Sequence, residues 1–485
     1  MTLQRFVTVA ALCAVFATSL FGTSFSKKSY HTGNSPSAVV SADINRDGHP
    51  DLIAANATSG GGFLTVMLGG SGGTFTIAAN YTTTSSPVDV VAGDYNNDGF
   101  PDIMALEEDG YQLFFSAKNG ALLPQTETKF GCDGCAGTNI LAIDLNRDHI
   151  PDIAYTVCLN GKCALQTDVN DGTGRFIHGG QSTGLDEFAP RHSLVAADFN
   201  RDSFDDMAVA VGTEIEIFRS NGGGGFSLLQ TIPSPIHTPT FALAAGDIDA
   251  KNGPDLVFAS SPSCFPDCIA SPTIYVYLNN GSGTLSGHAN YTVAGEAALN
   301  ALFLIDLTGD NRLDLVAMNG ALQENNGSIA WAHYTGSGNF GSFSTLAEFG
   351  NPLDLIGRDL NLDSRHDLAV ADEGAPFATP AIVVMTNTTS NAAICSPPSS
   401  ANLSVKLCSV TAPSGSRTFT VLAAGNSPVA IRRVELWVDG KKLYNSPDDR
   451  LKDVVTLASG SHKLEIVAVD LFGKVVKTSK TVNVP

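Results

Sequence analysis

The sequence predicts an all-β fold, a seven-bladed β-propeller followed by a small β-sandwich. A nine-residue acidic loop recurs seven times along the chain, and each copy lies between two short apolar runs. No stretch shows the periodicity and end caps of an amphipathic helix. The chain of 485 residues is long enough for two or three domains with sizeable cores.

The repeated loop begins and ends with Asp, and its last Asp always stands eight positions after the first. Loops one to seven are DINRDGHPD from Asp43, DYNNDGFPD from Asp94, DLNRDHIPD from Asp144, DFNRDSFDD from Asp198, DIDAKNGPD from Asp247, DLTGDNRLD from Asp306 and DLNLDSRHD from Asp359. Their starts are separated by 51, 50, 54, 49, 59 and 53 residues. Chance turns would not keep such a period, so the repeat is structural.

Each loop stands in the same context of strand-like segments. An apolar run precedes it, as in SAVVSAD, and a second follows it, as in DLIAAN. Continuous apolar runs of this length are typical of strands buried on both faces. A third run such as LTVMLGG, a Gly-rich turn and a more polar fourth run such as GTFTIAANYTT complete the unit. Four antiparallel strands per unit, repeated seven times, predict a propeller.

The two ends of the repeat region predict how the ring closes. The seventh unit has three strand-like runs and lacks a fourth before the Ser/Thr/Asn-rich segment. SFSKKSYHTGNSP, which precedes loop one, matches TFTIAANYTTTSSP, with Phe25 corresponding to Phe75 and Tyr30 to Tyr81. We expect residues 25–31 to supply the missing outer strand of blade seven, which would remove an open sheet edge.

Each loop offers hard oxygen ligands for a cation. Side chains at positions one, three and five, the carbonyl at position seven and the carboxylate at position nine can converge on one Ca²⁺. Loop one has Ala54 at the twelfth position, so it is not an EF-hand. The predicted metal ligands are Asp43, Asn45, Asp47, His49 and Asp51; Asp94, Asn96, Asp98, Phe100 and Asp102; Asp144, Asn146, Asp148, Ile150 and Asp152; Asp198, Asn200, Asp202, Phe204 and Asp206; Asp306, Thr308, Asp310, Arg312 and Asp314; and Asp359, Asn361, Asp363, Arg365 and Asp367, the seventh-position residue contributing its carbonyl.

The loops are not equivalent. Glycine at the sixth position permits a sharp turn, but loops three, four, six and seven replace it with His149, Ser203, Asn311 and Ser364. Loop five has Lys251 where an Asp ligand belongs, and its ammonium would compete with a cation. We therefore expect metal in loops one to four and seven, weaker binding in loop six and the weakest in loop five. This gives five to seven Ca²⁺ ions; the alternative is that the loops are plain polar turns.

The loop D-x-[DN]-x-D-G-x-x-D between two strands resembles the FG-GAP or VCBS repeat of integrin α-subunit propellers and bacterial exported proteins. The resemblance covers residues 25–387. It implies calcium in the loops and a propeller used for adhesion, recognition or scaffolding, with an unidentified extracellular protein or glycan as partner. The net charge of −20 excludes a nucleic-acid partner, because no basic surface is present to neutralise phosphates. We expect the protein to be a monomer.

The first residues predict export. MTLQR carries a positive charge, FVTVAALCAVFA is apolar, and small residues follow in TSLFGTS. Residues 1–24 therefore have the pattern of a cleaved signal peptide, and the apolar run is short for a membrane span. We expect a secreted, extracellular or periplasmic protein, with association to the cell surface left open.

Eight cysteines remain outside the signal segment, and in an exported chain an even number favours disulfides. The close pairs are Cys132 with Cys135, Cys158 with Cys163, Cys264 with Cys268, and Cys395 with Cys408. Cys158 and Cys163 flank an Asn-Gly hairpin turn, which would place them opposite each other. For the CDGC pair, a redox motif or half of a zinc site is the alternative.

The composition changes after the propeller. Residues 388–400 form a linker rich in Ser, Thr, Asn and Pro, and residues 401–485 alternate apolar and polar residues around two Gly-containing turns. This pattern predicts a small β-sandwich. VELWVDGKKL and LEIVAVDLFGKV resemble bacterial Ig-like domains, which implies an Ig-like fold for this part.

An enzymatic function is the alternative to a binding module. GQSTG, residues 180–184, matches the G-x-S-x-G string of hydrolases, but that motif needs a strand before it and a helix after it. The ten histidines are scattered and show no zinc spacing. A secreted hydrolase or lyase with a site assembled from several blades would leave no local motif, so this alternative stays open.

Overall fold

The computed structural model describes residues 23–33, 35–182, 192–235, 240–260, 271–293, 299–320, 327–374, 379–389, 395, 397–398, 400–412, 416–446 and 449–484. Within these ranges the regular secondary structure consists of β-strands alone, as the sequence predicts. They contain no helix long and apolar enough to cross a membrane. The expected signal segment, apart from its last two residues, and the pair Cys264 and Cys268 lie outside the described residues.

Six antiparallel sheets follow one another along the chain, and the first five are each built from consecutive strands. The first sheet has β2 (Ser35–Ala42), β3 (Asp51–Thr58), β4 (Gly61–Gly70) and β5 (Thr74–Thr83), and the second has β6 (Pro87–Gly93), β7 (Asp102–Glu107) and β8 (Gly110–Ser116), with β9 (Leu122–Pro124) and β10 (Thr128–Lys129) both pairing with β8. The third has β11 (Ala136–Ile143), β12 (Asp152–Leu159), β13 (Lys162–Asn170) and β14 (Phe176–Gln181), and the fourth has β15 (Leu194–Ala197), β16 (Asp206–Val211), β17 (Glu214–Ser220) and β18 (Phe226–Pro233). The fifth has β19 (Thr240–Gly246), β20 (Asp255–Ser260), β21 (Thr273–Asn279) and β22 (Leu285–Thr292), and the sixth has β23 (Ala301–Ile305), β24 (Asp314–Asn319), β25 (Gly327–Ala332) and β28 (Ser344–Phe349), with the hairpin β26 (Tyr334–Gly336) and β27 (Asn339–Phe340) between the last two.

The seventh sheet takes one strand from the start of the chain. It contains β29 (Pro352–Arg358), β30 (Asp367–Asp372) and β31 (Ala381–Asn387), and β1 (Phe25–Tyr30) pairs with β31 at the outer edge. In this register Phe25 lies opposite Asn387 and Tyr30 opposite Ile382. The prediction that the residues from Phe25 supply the outer strand of this sheet is confirmed.

The first strands of neighbouring sheets lie side by side. β2 contacts both β6 and β29, and further contacts join β6 to β11, β11 to β15, β15 to β19 and β19 to β23. The second strands are almost wholly buried, whereas outer strands such as β5 are largely exposed. Apolar side chains from facing sheets form shared cores, as where Ile53 and Val66 pack with Ile103 and Phe114. Repeated four-stranded sheets with their first strands inside are the architecture of a β-propeller.

All seven acidic loops connect the first and second strands of a sheet, so they lie at one end of the propeller. Their sixth residue has a positive φ in every loop, from 60° at Asn252 to 91° at Gly99. Glycine adopts this left-handed conformation without strain, and the non-glycine residues at this position adopt it at some cost. The loop shape is therefore kept even where the glycine is not.

Residues 404–484 form two further antiparallel sheets that share one core, and we call this unit the C-terminal sandwich. One sheet has the order β32 (Ser404–Thr411), β33 (Thr418–Asn426), β36 (Arg450–Thr456), and the other β35 (Lys441–Ser446), β34 (Ile431–Val438), β37 (Gly460–Asp470), β38 (Val475–Val484). Val421 and Leu451 of the first sheet pack with Leu436 and Leu464 of the second. Two sheets packed face to face in this way form a β-sandwich.

Three of the four predicted cysteine pairs are disulfides: Cys132–Cys135, Cys158–Cys163 and Cys395–Cys408. Cys158 and Cys163 lie opposite each other in the β12–β13 hairpin. Its turn residues, Asn160 and Gly161, both have positive φ, as the predicted hairpin requires. This hairpin joins a second to a third strand, so the disulfide lies at the end of the propeller opposite the acidic loops.

Candidate metal-binding loops

The backbone of each acidic loop turns its side chains inward. In loop one the Asp43 carboxylate accepts hydrogen bonds from the amides of Asp47 at 3.0 Å and Gly48 at 2.9 Å. The Asp47 carboxylate accepts from the amide of His49 at 2.9 Å, and the Asn45 side chain accepts from the Asp47 amide at 2.9 Å. The side chains at positions one, three and five are thereby held on the inside of one turn. The structure brings these predicted ligands together.

The bond from the sixth residue to the first Asp recurs around the propeller. In loops two, three, four, six and seven, the Oδ2 atom of the first Asp accepts from the amides of Gly99, His149, Ser203, Asn311 and Ser364, respectively, at 2.7–3.1 Å. Loop five uses Oδ1 of Asp247 and the amide of Lys251 instead, at 3.0 Å. The loop backbone thus holds the first carboxylate in a similar way in all seven loops.

The ninth-position Asp has a second role that sequence reasoning missed. Asp51 is fully buried, and it accepts hydrogen bonds from the amide of Ile44 at 3.0 Å and the amide of Gly69, on the third strand, at 2.7 Å. The corresponding Asp of every other loop also binds at least one amide of its own loop and one in or next to the third strand: Asp102, Asp152, Asp206, Asp255, Asp314 and Asp367. We call these hydrogen bonds, which tie the loop to the third strand, the clasp of the ninth-position Asp. The constant eight-residue spacing was the only sequence signal for it.

These carboxylates are held where an isolated negative charge is costly. Burial raises the pKa of the ninth-position Asp to about 7 in loops one to five and seven, and to about 8 in loop six. Backbone hydrogen bonds oppose the rise, and the neighbouring carboxylates of the same loop add to it. Burial also raises the pKa of the first Asp in loops one to four. A cation bound in the loop would offset both effects.

Two loops contain a carboxylate oxygen suited to a metal ion. Among the described residues, the Oδ1 atoms of Asp94 and Asp198 are buried and have no hydrogen-bond partner, while Oδ2 of each is bonded to the loop backbone. A buried anionic oxygen without a donor is expensive, and a bound cation would satisfy it. Oxygens from carboxylates, amides and a carbonyl are the donor set that Ca²⁺ takes. The residues present therefore fit calcium.

Loop five is a better metal candidate than its sequence indicates. One carboxylate oxygen each of Asp247, Asp249 and Asp255 lies within 4.8 Å of the other two. Lys251 reaches Asp249 at 3.5 Å, but its side chain is 65% exposed and can move into solvent. These three Asp residues were left out of the predicted ligands because of Lys251. The signal that could have indicated them is Asp, in place of Asn, at the third position.

The C-terminal sandwich lies against the end of the propeller that carries the loops. The Asp43 amide donates to the Pro428 carbonyl at 2.9 Å, and the buried Arg358 guanidinium donates to the Ser427 carbonyl at 3.0 Å and the Val429 carbonyl at 2.9 Å. The His149 ring lies 3.0 Å from another carbonyl of the sandwich. The sequence did not predict this packing.

Cationic side chains of the sandwich reach the acidic loops themselves. Lys474 lies 3.6 Å from Oδ2 of Asp94, and Arg432 forms an ion pair with Asp205, the residue before the last Asp of loop four. Burial and the neighbouring guanidinium act in opposite directions on the pKa of the first loop-four carboxylate, and burial dominates. The sandwich therefore contributes positive charge to an end of the propeller that is rich in Asp.

The serine of the hydrolase-like string follows directly after an outer strand. Gly180 and Gln181 belong to the outer strand β14, and the hydroxyl of Ser182 accepts a hydrogen bond from the Leu165 amide at 3.0 Å. A nucleophile elbow places the serine between a strand and a helix. The last two residues of the string lie outside the described residues.

Comparison with known proteins assigns the repeat. Residues 43–105 and 94–155 match the FG-GAP-like repeat. The chain contains FG-GAP-like repeats. Each matched stretch spans two successive acidic loops, so the loops are part of the repeat itself. A search of curated proteins finds no match.

Solved structures support the propeller fold. BBS1N in complex with ARL6DN, soaked with lead, is 11% identical with a TM-score of 0.51, over 76% of this chain and 98% of that one. The mercury-soaked complex is 11% identical with a TM-score of 0.50, over 74% and 94%. A protein from Lactobacillus plantarum is 13% identical with a TM-score of 0.48, over 72% and 88%. At such low identity the first two likenesses show the fold alone.

Proposed function

We propose that this protein is an exported, calcium-binding seven-bladed propeller with an Ig-like C-terminal domain, serving as a recognition or scaffold module for an extracellular protein or glycan. The observation that carries the proposal is the recurring loop geometry. It places a buried first and ninth Asp in the same positions of successive loops, brings three carboxylates of loop five within 4.8 Å of one another, and leaves Oδ1 of Asp94 without a donor among the described residues. Three disulfides favour an oxidising compartment outside the cytosol.

Calcium in this proposal has a structural role. Each candidate ligand set lies at the junction of a first and a second strand, next to the buried strands. An ion there would neutralise carboxylates that burial disfavours, and it would fix the loop between two strands. The ligand-binding function then depends on calcium through the stability of the propeller.

The partner surface is expected at the other end of the propeller. The end that carries the acidic loops is in contact with the C-terminal sandwich through residues such as Arg358, Pro428 and Arg450. The disulfides Cys132–Cys135 and Cys158–Cys163 lie on connections at the opposite end. Constrained connections lose less entropy when they bind a partner, which favours this end for recognition.

The metal content is the direct test. Equilibrium dialysis of the full chain should give five to seven Ca²⁺ per molecule, and Asp98→Asn should lower the number by one. Asp133→Asn, an exposed Asp outside the loops, is the matched control and should leave it unchanged. A chain that binds no calcium at millimolar concentration would overturn the proposal. A glycan and protein binding screen with calcium and with EDTA would then identify the partner.

A further inference from the structure

Loop seven has a buried guanidinium on its first carboxylate. Arg450, at the start of β36, lies 3.0 Å from Oδ2 of Asp359, and the two side chains are only 3% and 2% exposed. The same oxygen accepts a hydrogen bond from the Ser364 amide at 2.7 Å. The pair joins the seventh sheet of the propeller to the C-terminal sandwich, 91 residues further along the chain.

A second guanidinium lies inside the same loop. Arg365, the seventh-position residue, donates to Oδ2 of Asp363 at 2.8 Å. The predicted ligands at positions one and five of loop seven are therefore both paired with arginine. In loop one the equivalent residues, Asp43 and Asp47, accept hydrogen bonds from amides of their own loop. Loop seven keeps the same backbone bonds to Asp359 and Asp363, so the two loops differ in the guanidinium groups that are bonded to the carboxylates of loop seven.

The contact of the sandwich with loop two is different in kind. Lys474 lies 3.6 Å from Oδ2 of Asp94 and is 40% exposed, so its ammonium can turn into solvent when an ion enters. In the part of the chain that the structure describes, Oδ1 of Asp94 has no donor. Arg450 has no such freedom, because its side chain is enclosed between the propeller and the sandwich. It can leave Asp359 only if that part of the sandwich moves.

We propose that Arg450 occupies the cation role in loop seven, so that docking of the C-terminal sandwich and calcium binding to loop seven oppose each other. This inference rests on the proposed calcium function of the other loops. A divalent ion beside a buried, already paired guanidinium adds like charge in a low-dielectric site. Because coupling between two binding events is reciprocal, the docked arginine weakens calcium binding at loop seven, and calcium there weakens docking. The sequence pattern alone ranks loop seven with loops one to four.

Ion stoichiometry by equilibrium dialysis tests the proposal on the full chain. Asp47→Asn should remove one Ca²⁺ from the wild-type protein, whereas Asp359→Asn should remove none. Arg450→Gln should add one ion, or bind the loop-seven ion at least tenfold more tightly, and Asp359→Asn in that background should abolish the gain. Arg417→Gln, an exposed arginine of the same sandwich, is the matched control and should change nothing.

The outcomes separate this inference from the proposed function. If Asp359→Asn binds one ion fewer than the wild type, as Asp47→Asn is expected to do, the proposed role of Arg450 is wrong and the proposed calcium function is unaffected. A wild-type protein that binds no calcium overturns both. If Arg450→Gln unfolds the sandwich, Asp359→Asn still decides, because it keeps the arginine. Small-angle X-ray scattering gives the second readout: raising calcium beyond the concentration that fills the other loops should increase the radius of gyration of the wild type and leave that of Arg450→Gln unchanged, and a wild-type radius that does not change with calcium contradicts the opposition.

Discussion

The carboxylate of Asp89 accepts a hydrogen bond from the backbone amide of Ile140 at 3.2 Å, and so joins the second sheet to the third. Asp354 binds the amide of Val39 at 2.8 Å in the same way, between the seventh sheet and the first. In the third sheet Asn139 accepts from the amide of Ser193, directly before the first strand of the fourth sheet, at 3.2 Å. Each of these residues lies at a register shift in a first strand. A β-bulge re-aims a side chain, and here it points toward the neighbouring sheet.

Asp89 should make stability depend on pH. Its pKa is raised to about 6 by burial and by the facing Asp354, and the nearby His192 opposes the rise. The folded state thus favours the neutral acid, so this group's contribution to stability is complete below about pH 4 and is lost as the pH rises through about 6. Asp89→Asn should therefore raise the melting temperature at pH 7.5 by about 2–4 °C and leave it nearly unchanged at pH 4.5.

Asn139 shows that an amide oxygen can take the same bridging position between sheets. The Asp89→Asn variant should therefore keep the contact to Ile140. Asp133→Asn serves as the control for loss of one negative charge at an exposed site. Equal gains for Asp89→Asn at the two pH values would show that a buried charge is not the cause.

Calcium should stabilise the propeller. With calcium at ~2 mM and a Kd of ~0.2 mM, each occupied site contributes about 1.4 kcal/mol. Five sites would contribute about 7 kcal/mol, comparable with the net stability of a domain. EDTA should therefore lower the melting temperature of the propeller markedly, and Asp47→Ala should reproduce about one fifth of that loss. Melting curves that coincide in calcium and in EDTA would show that the loops are plain polar turns.

The ninth-position Asp should matter even without metal. Asp51→Ala leaves the amides of Ile44 and Gly69 without their acceptor, which we expect to cost about 2–4 kcal/mol in EDTA. Asp47→Ala removes bonds that lie at the exposed edge of the loop, so in EDTA it should cost less than about 1 kcal/mol. Urea unfolding of both variants in EDTA separates the two roles. Equal losses would contradict the clasp and leave ion binding as the only role of Asp51.

The parts of the fold that recur were predictable from the sequence. Phe25 and Tyr30 match the two aromatic residues of an outer strand, Phe75 and Tyr81, and the structure pairs them with β31. The turn at Asn160 and Gly161 has a local chemical signature, and it was found where expected. Periodicity and turn chemistry are properties of neighbouring residues, so one chain is enough to reveal them.

Contacts between distant loops were not predictable in this way. Arg450 and Asp359 lie in two different folded units, and nothing near either residue in the sequence indicates the other. In the sequence, Asp89 is an ordinary polar residue near the start of a strand. Its contact with Ile140 depends on the bulge, which the sequence does not reveal. The sequence ranks loop five as the weakest metal site because it shows the charge of Lys251. It does not show that this side chain is exposed and can move away from the carboxylates.

Loop five offers the last prediction. Its three carboxylates already lie close together, and Lys251 partly neutralises them at 3.5 Å from Asp249. Lys251→Asp removes that positive charge and supplies an acidic side chain at the position where the other loops have an Asp ligand. Calcium affinity at this loop should then rise about tenfold or more. The substitution makes the charge beside the ion more negative by two units, and a tenfold gain in affinity corresponds to only about 1.4 kcal/mol of binding free energy.

Lys251→Gln removes the positive charge without adding a ligand, so its affinity should fall between those of the wild type and Lys251→Asp. Lys441→Asp makes the same charge change on the exposed surface of the C-terminal sandwich and controls for net charge. Isothermal titration with calcium should resolve a new tight site in Lys251→Asp and none in Lys441→Asp. If Lys251→Asp and Lys251→Gln both bind calcium like the wild type, the three carboxylates of loop five do not form an ion site. Loop five would then be the weakest of the seven loops, as its sequence predicts.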